Sequence, residues 1–130
     1  MKSRAIAYWT ATALLALELL IGAIWDLSRS HLAVQIMLRL GYPLYLLALI
    51  GIWKLLAIPA LLVPGYARLK EWTYAGIFFL MTGAIASHAA CGDGKGLIPP
   101  LILITLAITS WMLRAGNRAW ASSTTAEARA

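Results

Sequence analysis

A chain of 130 residues fits one domain, and with 62% apolar and only 12% charged residues it is not an ordinary water-soluble globule, which is about half apolar and a quarter charged. The formal charge of +6 comes from Lys and Arg in short flanks between apolar runs. That pattern reads as membrane topology and not as a nucleic-acid surface. Cys91 is the only cysteine, which excludes an internal disulfide and a two-cysteine relay.

The first apolar run, 5–25, is longer than a signal-peptide core of about 7–15 residues. It holds Glu18 and shows no obvious small-x-small cleavage site at its far end, so it reads as a retained membrane helix. Residues 26–42 are not apolar enough to cross. Leu32, Ile36 and Leu40 nevertheless recur every fourth residue, with His31, Gln35 and Arg39 beside them, which predicts a short two-faced helix at the interface.

Three more runs approach the roughly 20 residues a crossing needs: 43–63, 72–90 and 97–113. Pro64 and Gly65 stop the second, because proline cannot continue the hydrogen-bond ladder and glycine accepts the left-handed turn. Pro59 inside it predicts a kink. The 92–96 stretch, Gly-Asp-Gly-Lys-Gly, stops the third. Pro99 and Pro100 suit the first turn of the fourth, where the missing N–H groups would be unpaired anyway.

The expected architecture is all-α: a four-transmembrane-helix bundle with one interfacial helix between the first two spans. Residues 1–116 form the membrane domain. Residues 117–130, rich in Ala, Ser and Thr without a core pattern, read as a disordered tail. Lys2, Arg4, Arg68, Lys70, Arg114, Arg118 and Arg129 fall on one side and only Arg29, Arg39 and Lys95 on the other. The positive-inside rule then puts both termini in the cytoplasm.

Charged groups within a span are the main functional signal, since each costs about 2.5–3.5 kcal/mol at a helix centre. Glu18 and Lys54 are the two clear cases. Antiparallel threading puts them at depths about 6 Å apart at about 1.5 Å per residue, so they are expected to pair. The pair is either a structural staple or part of a ligand site. Glu18, Gly22 and Asp26 form one stripe, expected to face neighbouring helices; Asp26 belongs to the site or is a solvated helix end. His88, near the same end of its helix, is either a proton-transfer group or a hydrogen-bonded interface residue. Trp25 is placed as an interfacial anchor beside this region. Trp53 is expected deep, to fill the core or to stack on a flat ligand. The small side chains of Gly76, Gly83, Ser87 and Ala90 predict close helix packing. The spacing of His, Cys and carboxylates suggests no metal site.

Several stretches in order resemble one family: Gly41-Tyr42-Pro43-Leu44-Tyr45, Gly51-Ile52-Trp53-Lys54-Leu55-Leu56, Leu62-Val63-Pro64-Gly65, the Leu69–Gly76 run, and Thr82-Gly83-Ala84 with Ser87-His88 and Gly92-Asp93-Gly94. Over Tyr8 to about Leu113 the chain is similar to the DoxX-like small four-helix bacterial membrane proteins. It departs from them at Leu80, where an acidic or amide residue is expected.

The resemblance implies a bacterial inner-membrane protein. It further implies a quinone-binding or accessory subunit in redox or redox-stress metabolism, partnered by a membrane oxidoreductase, and not a stand-alone enzyme. The name-giving relatives are associated with a thiosulfate:quinone oxidoreductase. On this reading quinone is the candidate cofactor, and Glu18, Lys54, His88, Trp25, Trp53 and Asp26 line its site in the half of the bundle next to the interfacial helix. The lipid bilayer is the general partner, and a homo-oligomer remains open. The alternatives are a small proton-coupled transporter of lipophilic compounds, since an acid in the first of four helices is also similar to the small multidrug resistance exporters, or a structural or assembly protein without catalysis.

Overall fold

The computed structural model describes residues 2–129, without the side chains of 115–127. Helix α1 (Lys2–Leu27) is followed by α2 (His31–Leu40), α3 (Tyr45–Leu62), α4 (Ala67–Ala90), a single 3-10 turn (Lys95–Leu97) and α5 (Ile98–Arg129). Among the described residues there is no strand. Four segments are long and apolar enough to cross a membrane: Lys2–Leu27, Tyr45–Leu62, Ala67–Ala90 and Lys95–Arg114. The expected four-helix bundle with a short helix between its first two spans is therefore the observed fold.

Local chemistry accounts for the boundaries. Ser30 caps α2 by accepting the Ala33 N–H, and Gly41, in the left-handed region at φ 80°, closes it with its N–H on the Leu38 carbonyl. Gly65 and Gly92 take the same backbone region between α3 and α4 and after α4. Helix α3 continues through Pro59 and ends within a turn of it, with the Val63 N–H on the Pro59 carbonyl. Helical backbone in α5 extends to Arg129, whereas the composition of 117–130 reads as unstructured. Once a helix exists each further residue adds cheaply, and alanine is the best helix former. The side chains of 115–127 lie outside the described residues.

Helix α1 packs along α3 and α5, and α4 packs along α5, while α3 and α4 meet over a much shorter stretch. The core is gathered around Leu15 and Leu19 of α1, Leu61 of α3, Tyr74, Ile77 and Met81 of α4, and Leu103 and Ala107 of α5. Burial of apolar surface does not drive helices together in lipid, so packing and polar contacts must do it. At the end of the bundle away from α2, Tyr74 and Thr12 each share a hydrogen bond with Ser110 at 2.7 Å, joining α4, α1 and α5. Lys70 Nζ donates to the Leu61 carbonyl at 2.9 Å, joining α4 to α3. Arg114 pairs with Glu71 and donates to the Ala67 carbonyl, and Trp111 Nε1 donates to Glu71 at 2.9 Å. Every buried side-chain N and O among the described residues has a partner, as hydrocarbon demands.

Candidate functional site

Three features bear on function, and they share less than the sequence suggests. The first is an ion pair between α1 and α3. Lys54 Nζ donates to Asp26 Oδ2 at 2.7 Å, and each side chain keeps 14% of its exposure. Two glycines make the fit possible. A Cβ at Gly22 would lie 2.9 Å from Lys54 Nζ, and one at Gly51 would lie 2.7 Å from Leu27 Cγ and 3.3 Å from Asp26 Cβ. The lysine stem thus runs along the bare backbone of one helix, while the other helix presses against the base of the aspartate.

The partner of Lys54 is therefore Asp26, not Glu18. Depth counted from the span ends favoured Glu18, but α3 is shifted along α1, with Gly51 against Asp26 and Leu27, and side-chain direction adds to the shift. Each Cα–Cβ bond in a helix tilts toward the N-terminus. The Asp26 carboxylate accordingly leans back toward the level of Gly22, where Lys54 arrives, and Glu18 leans away from it. Glu18 is exposed and, among the described residues, makes no hydrogen bond or ion pair. The stripe expected to face neighbours does so at Gly22 and Asp26 and not at Glu18.

The second feature is a lateral cleft of about 590 Å³ where α3 and α4 diverge, floored by Leu19 of α1. Trp53, Lys54, Leu56, Ala57 and Ala60 form one wall, and Leu69, Trp72, Thr73, Gly76, Phe79 and Leu80 are among those forming the other. Lys54 and Trp53 stand at the end nearer α2; the rest of the cleft runs through the middle of the bundle and into its other half. The cleft thus extends beyond the half next to α2, where the sequence placed the candidate site. Trp53 is 51% exposed, so it is a cleft and surface residue instead of core filling. Nothing lies within 4 Å of a Cβ at Gly76 or Gly83. The small face of α4 therefore leaves space open instead of admitting a helix.

The third feature is a polar cluster at the α2 end. Asp93 accepts the Gly96 N–H at 3.2 Å, a hydrogen bond from His88 Nδ1 at 3.1 Å, and one from Arg39 at 3.4 Å. Those bonds, the Gly96 amide first, hold its carboxyl below the usual aspartate range. A Cβ at Gly96 would collide with the His88 ring, so only glycine closes the loop this tightly. Tyr42 and Ser87 share a hydrogen bond at 2.6 Å. Together with the Arg39–Asp93 contact it ties the α2 region to the C-terminal end of α4. His88 is buried here, bonded to a loop aspartate and outside the cleft.

Of the six residues singled out from the sequence, the structure thus joins Asp26 to Lys54 and places Lys54 beside Trp53 at the cleft. It sets His88 in a separate cluster and leaves Glu18 and Trp25 exposed on α1. Thr73, Gly76, Gly51, Asp93 and Gly96 were missed as participants. The legible signals were a glycine one turn from each charged residue, at 22 and at 51, and an aspartate bracketed by glycines five residues after His88. Among the described residues, no group of three or more His, Cys, Asp or Glu side chains gathers as a metal set would.

Four apolar spans, a buried polar seam and an apolar cleft between α3 and α4 define a small multi-pass helical membrane protein. The model of the DoxX-like family matches residues 10–110, and the chain belongs to that family. No curated protein and no solved structure matches it.

Proposed function

We propose that this DoxX-like protein binds a quinone in the α3–α4 cleft and serves as a quinone-binding or accessory subunit of a membrane oxidoreductase. The observation that carries the reading is the cleft itself: about 590 Å³, walled by apolar and aromatic side chains, with Lys54 as its charged group. Pockets for small molecules commonly combine apolar walls with one or two polar groups that orient the guest. The residues present fit such a molecule. Lys54 would hold a carbonyl oxygen, since an ammonium has three donors and Asp26 occupies one. Trp53 and Trp72 offer flat apolar faces, and Leu56, Ala60 and Leu69 suit an isoprenoid chain.

When bound, a quinone accepts two electrons and two protons from a donor outside this chain. The chain's own residues bind and orient. Asp26 aims Lys54 by its 2.7 Å bond, and the leucine, alanine and phenylalanine walls keep water away. In the orientation implied by the Lys and Arg distribution, the chain sits in a bacterial inner membrane with both termini cytoplasmic, and the cleft opens mainly toward the inner leaflet.

The test is to purify the protein in mild detergent, analyse co-extracted lipids for quinone, and titrate quinone against tryptophan fluorescence. Saturable quenching that weakens about tenfold in Lys54→Met is expected, the loss of one hydrogen bond to a charged donor. Absence of both quinone from the extract and quenching would overturn the reading. One observation favours a second reading, a proton-coupled transporter of lipophilic compounds: Lys54 is engaged by Asp26, which leaves the Glu18 carboxyl unneutralised. Loss of proton-coupled uptake of a lipophilic cation in Glu18→Gln vesicles would select it.

A further inference from the structure

We propose that the α3–α4 cleft is the head of a longer groove, and that the site selects its guest by a single hydrocarbon tail laid from Lys54 toward the α3–α4 turn. The inference rests on the quinone reading and adds which part of the molecule is selected and where it lies. A second hollow of about 480 Å³ is lined by Leu56, Pro59, Ala60, Val63, Tyr66 and Leu69. Leu56, Ala60 and Leu69 also line the cleft, so the two are adjoining chambers of one groove. The small side chain of Ala60, buried at 8% exposure, lies where they join.

The groove has a direction. Among the described residues, Lys54 is the only charged group lining either chamber, and it stands at the end nearer α2. Val63, nine residues later in the sequence, lies about 13 Å farther along at about 1.5 Å per residue. A molecule with one polar head and one apolar tail therefore fits with its head at Lys54 and its tail past Ala60; reversed, its head would leave the ammonium. The depth of Lys54 decides the class of head. It is nine residues from Tyr45 and eight from Leu62 at the ends of α3, about 12–13 Å from either. A phospholipid keeps its charged head at the membrane surface, because a charge at mid-membrane is costly. A guest whose polar group is an uncharged carbonyl can bring it to that depth. A tail gains little from leaving lipid for another apolar surface, so its selection comes from packing along the groove walls.

The test uses the full chain in liposomes and two probes, a benzoquinone ring without a side chain and the same ring with a decyl tail. At equal mole fraction in the membrane, tryptophan quenching should be half-saturated at about tenfold lower concentration for the tailed probe. Val63→Phe, in the second chamber only, should remove that difference while ring quenching persists. A tailed probe carrying a diazirine at the tail end should label residues 59–66 of the wild-type chain on irradiation, which keeps the proposal testable even if Val63→Phe misfolds. Equal binding of the two probes, a tail-end label on the α2 end of the bundle, or a phospholipid acyl chain in the second chamber that the tailed probe cannot displace would overturn the inference and leave the quinone reading standing. No quenching by either probe would overturn both.

Discussion

Helix α3 turns one face to α1 and another to α4, and small residues serve opposite ends on the two. Toward α1, Gly51 lets the base of Asp26 and the Leu27 side chain press in, and Gly22 across the seam makes room for Lys54. Toward α4, Gly76 meets nothing within 4 Å, and the helices diverge around a cleft. A glycine in a membrane helix thus closes an interface only when the opposite helix carries something to fill the room it leaves. On the α1 side that filler is an ion pair. On the α4 side the lining residues leave a space that lipid or a guest can enter.

The largest expected effect comes from breaking the closed face. Asp26→Leu leaves the Lys54 ammonium without its carboxylate inside the bundle. This should cost about 3 kcal/mol, the low end of the range for orphaning a buried charge, because both side chains keep some exposure. Unfolding in mixed detergent and SDS measures it. The double variant Asp26→Leu with Lys54→Met should recover to within about 1 kcal/mol of wild type, since removing both charges removes the penalty. If the double variant is as unstable as the single, the pair does more than balance charge.

A smaller effect sharpens the contrast between the faces. Gly51→Leu overpacks the seam and should cost about 2 kcal/mol, measured in the same way. Gly76→Leu enters open space and should leave stability within about 0.5 kcal/mol of wild type. It would also occupy the cleft, so quinone quenching of tryptophan fluorescence should disappear from a protein that remains folded. Equal destabilisation by the two substitutions would mean the α3–α4 gap closes in the membrane.

The sequence made the scaffold legible because hydrocarbon imposes its rules residue by residue. Runs of about 20 apolar residues, Pro64 with Gly65, and the glycines at 92–96 gave the four crossings, and the period of Leu32, Ile36 and Leu40 gave α2. The partner of Lys54 was not legible, because depth counted from the span ends favours Glu18, whereas α3 is shifted along α1 so that Gly51 meets Asp26 and Leu27 and Lys54 reaches Gly22, with side chains leaning toward their helix N-termini. The cleft was invisible for a different reason. Gly76 and Gly83 carry the same small-residue signature whether a helix or empty space lies opposite. His88 read as a neighbour of the acidic stripe because it shares a depth with it, but the loop aspartate five residues later lies nearer and takes its hydrogen bond.

The smallest effect tests the α2 end against the seam, since both rest on an aspartate but in different surroundings. Asp93 accepts bonds from Gly96, His88 and Arg39, and its carboxyl titrates below the ordinary aspartate range. A group with a depressed folded-state pKa stabilises the fold above its unfolded value, near pH 4, and that contribution disappears as pH falls through the lower folded value. Wild type should therefore exceed Asp93→Asn in thermal stability between pH 7 and 5. The margin should shrink below about pH 4 as Asp93 itself becomes neutral and the two chains come to resemble each other. Exchange of the 91–97 amides should rise in wild type over the same acid range while the α1–α3 seam stays protected. A margin that persists unchanged to pH 3 would mean that the side chain's shape, and not its charge, holds α2 against the loop.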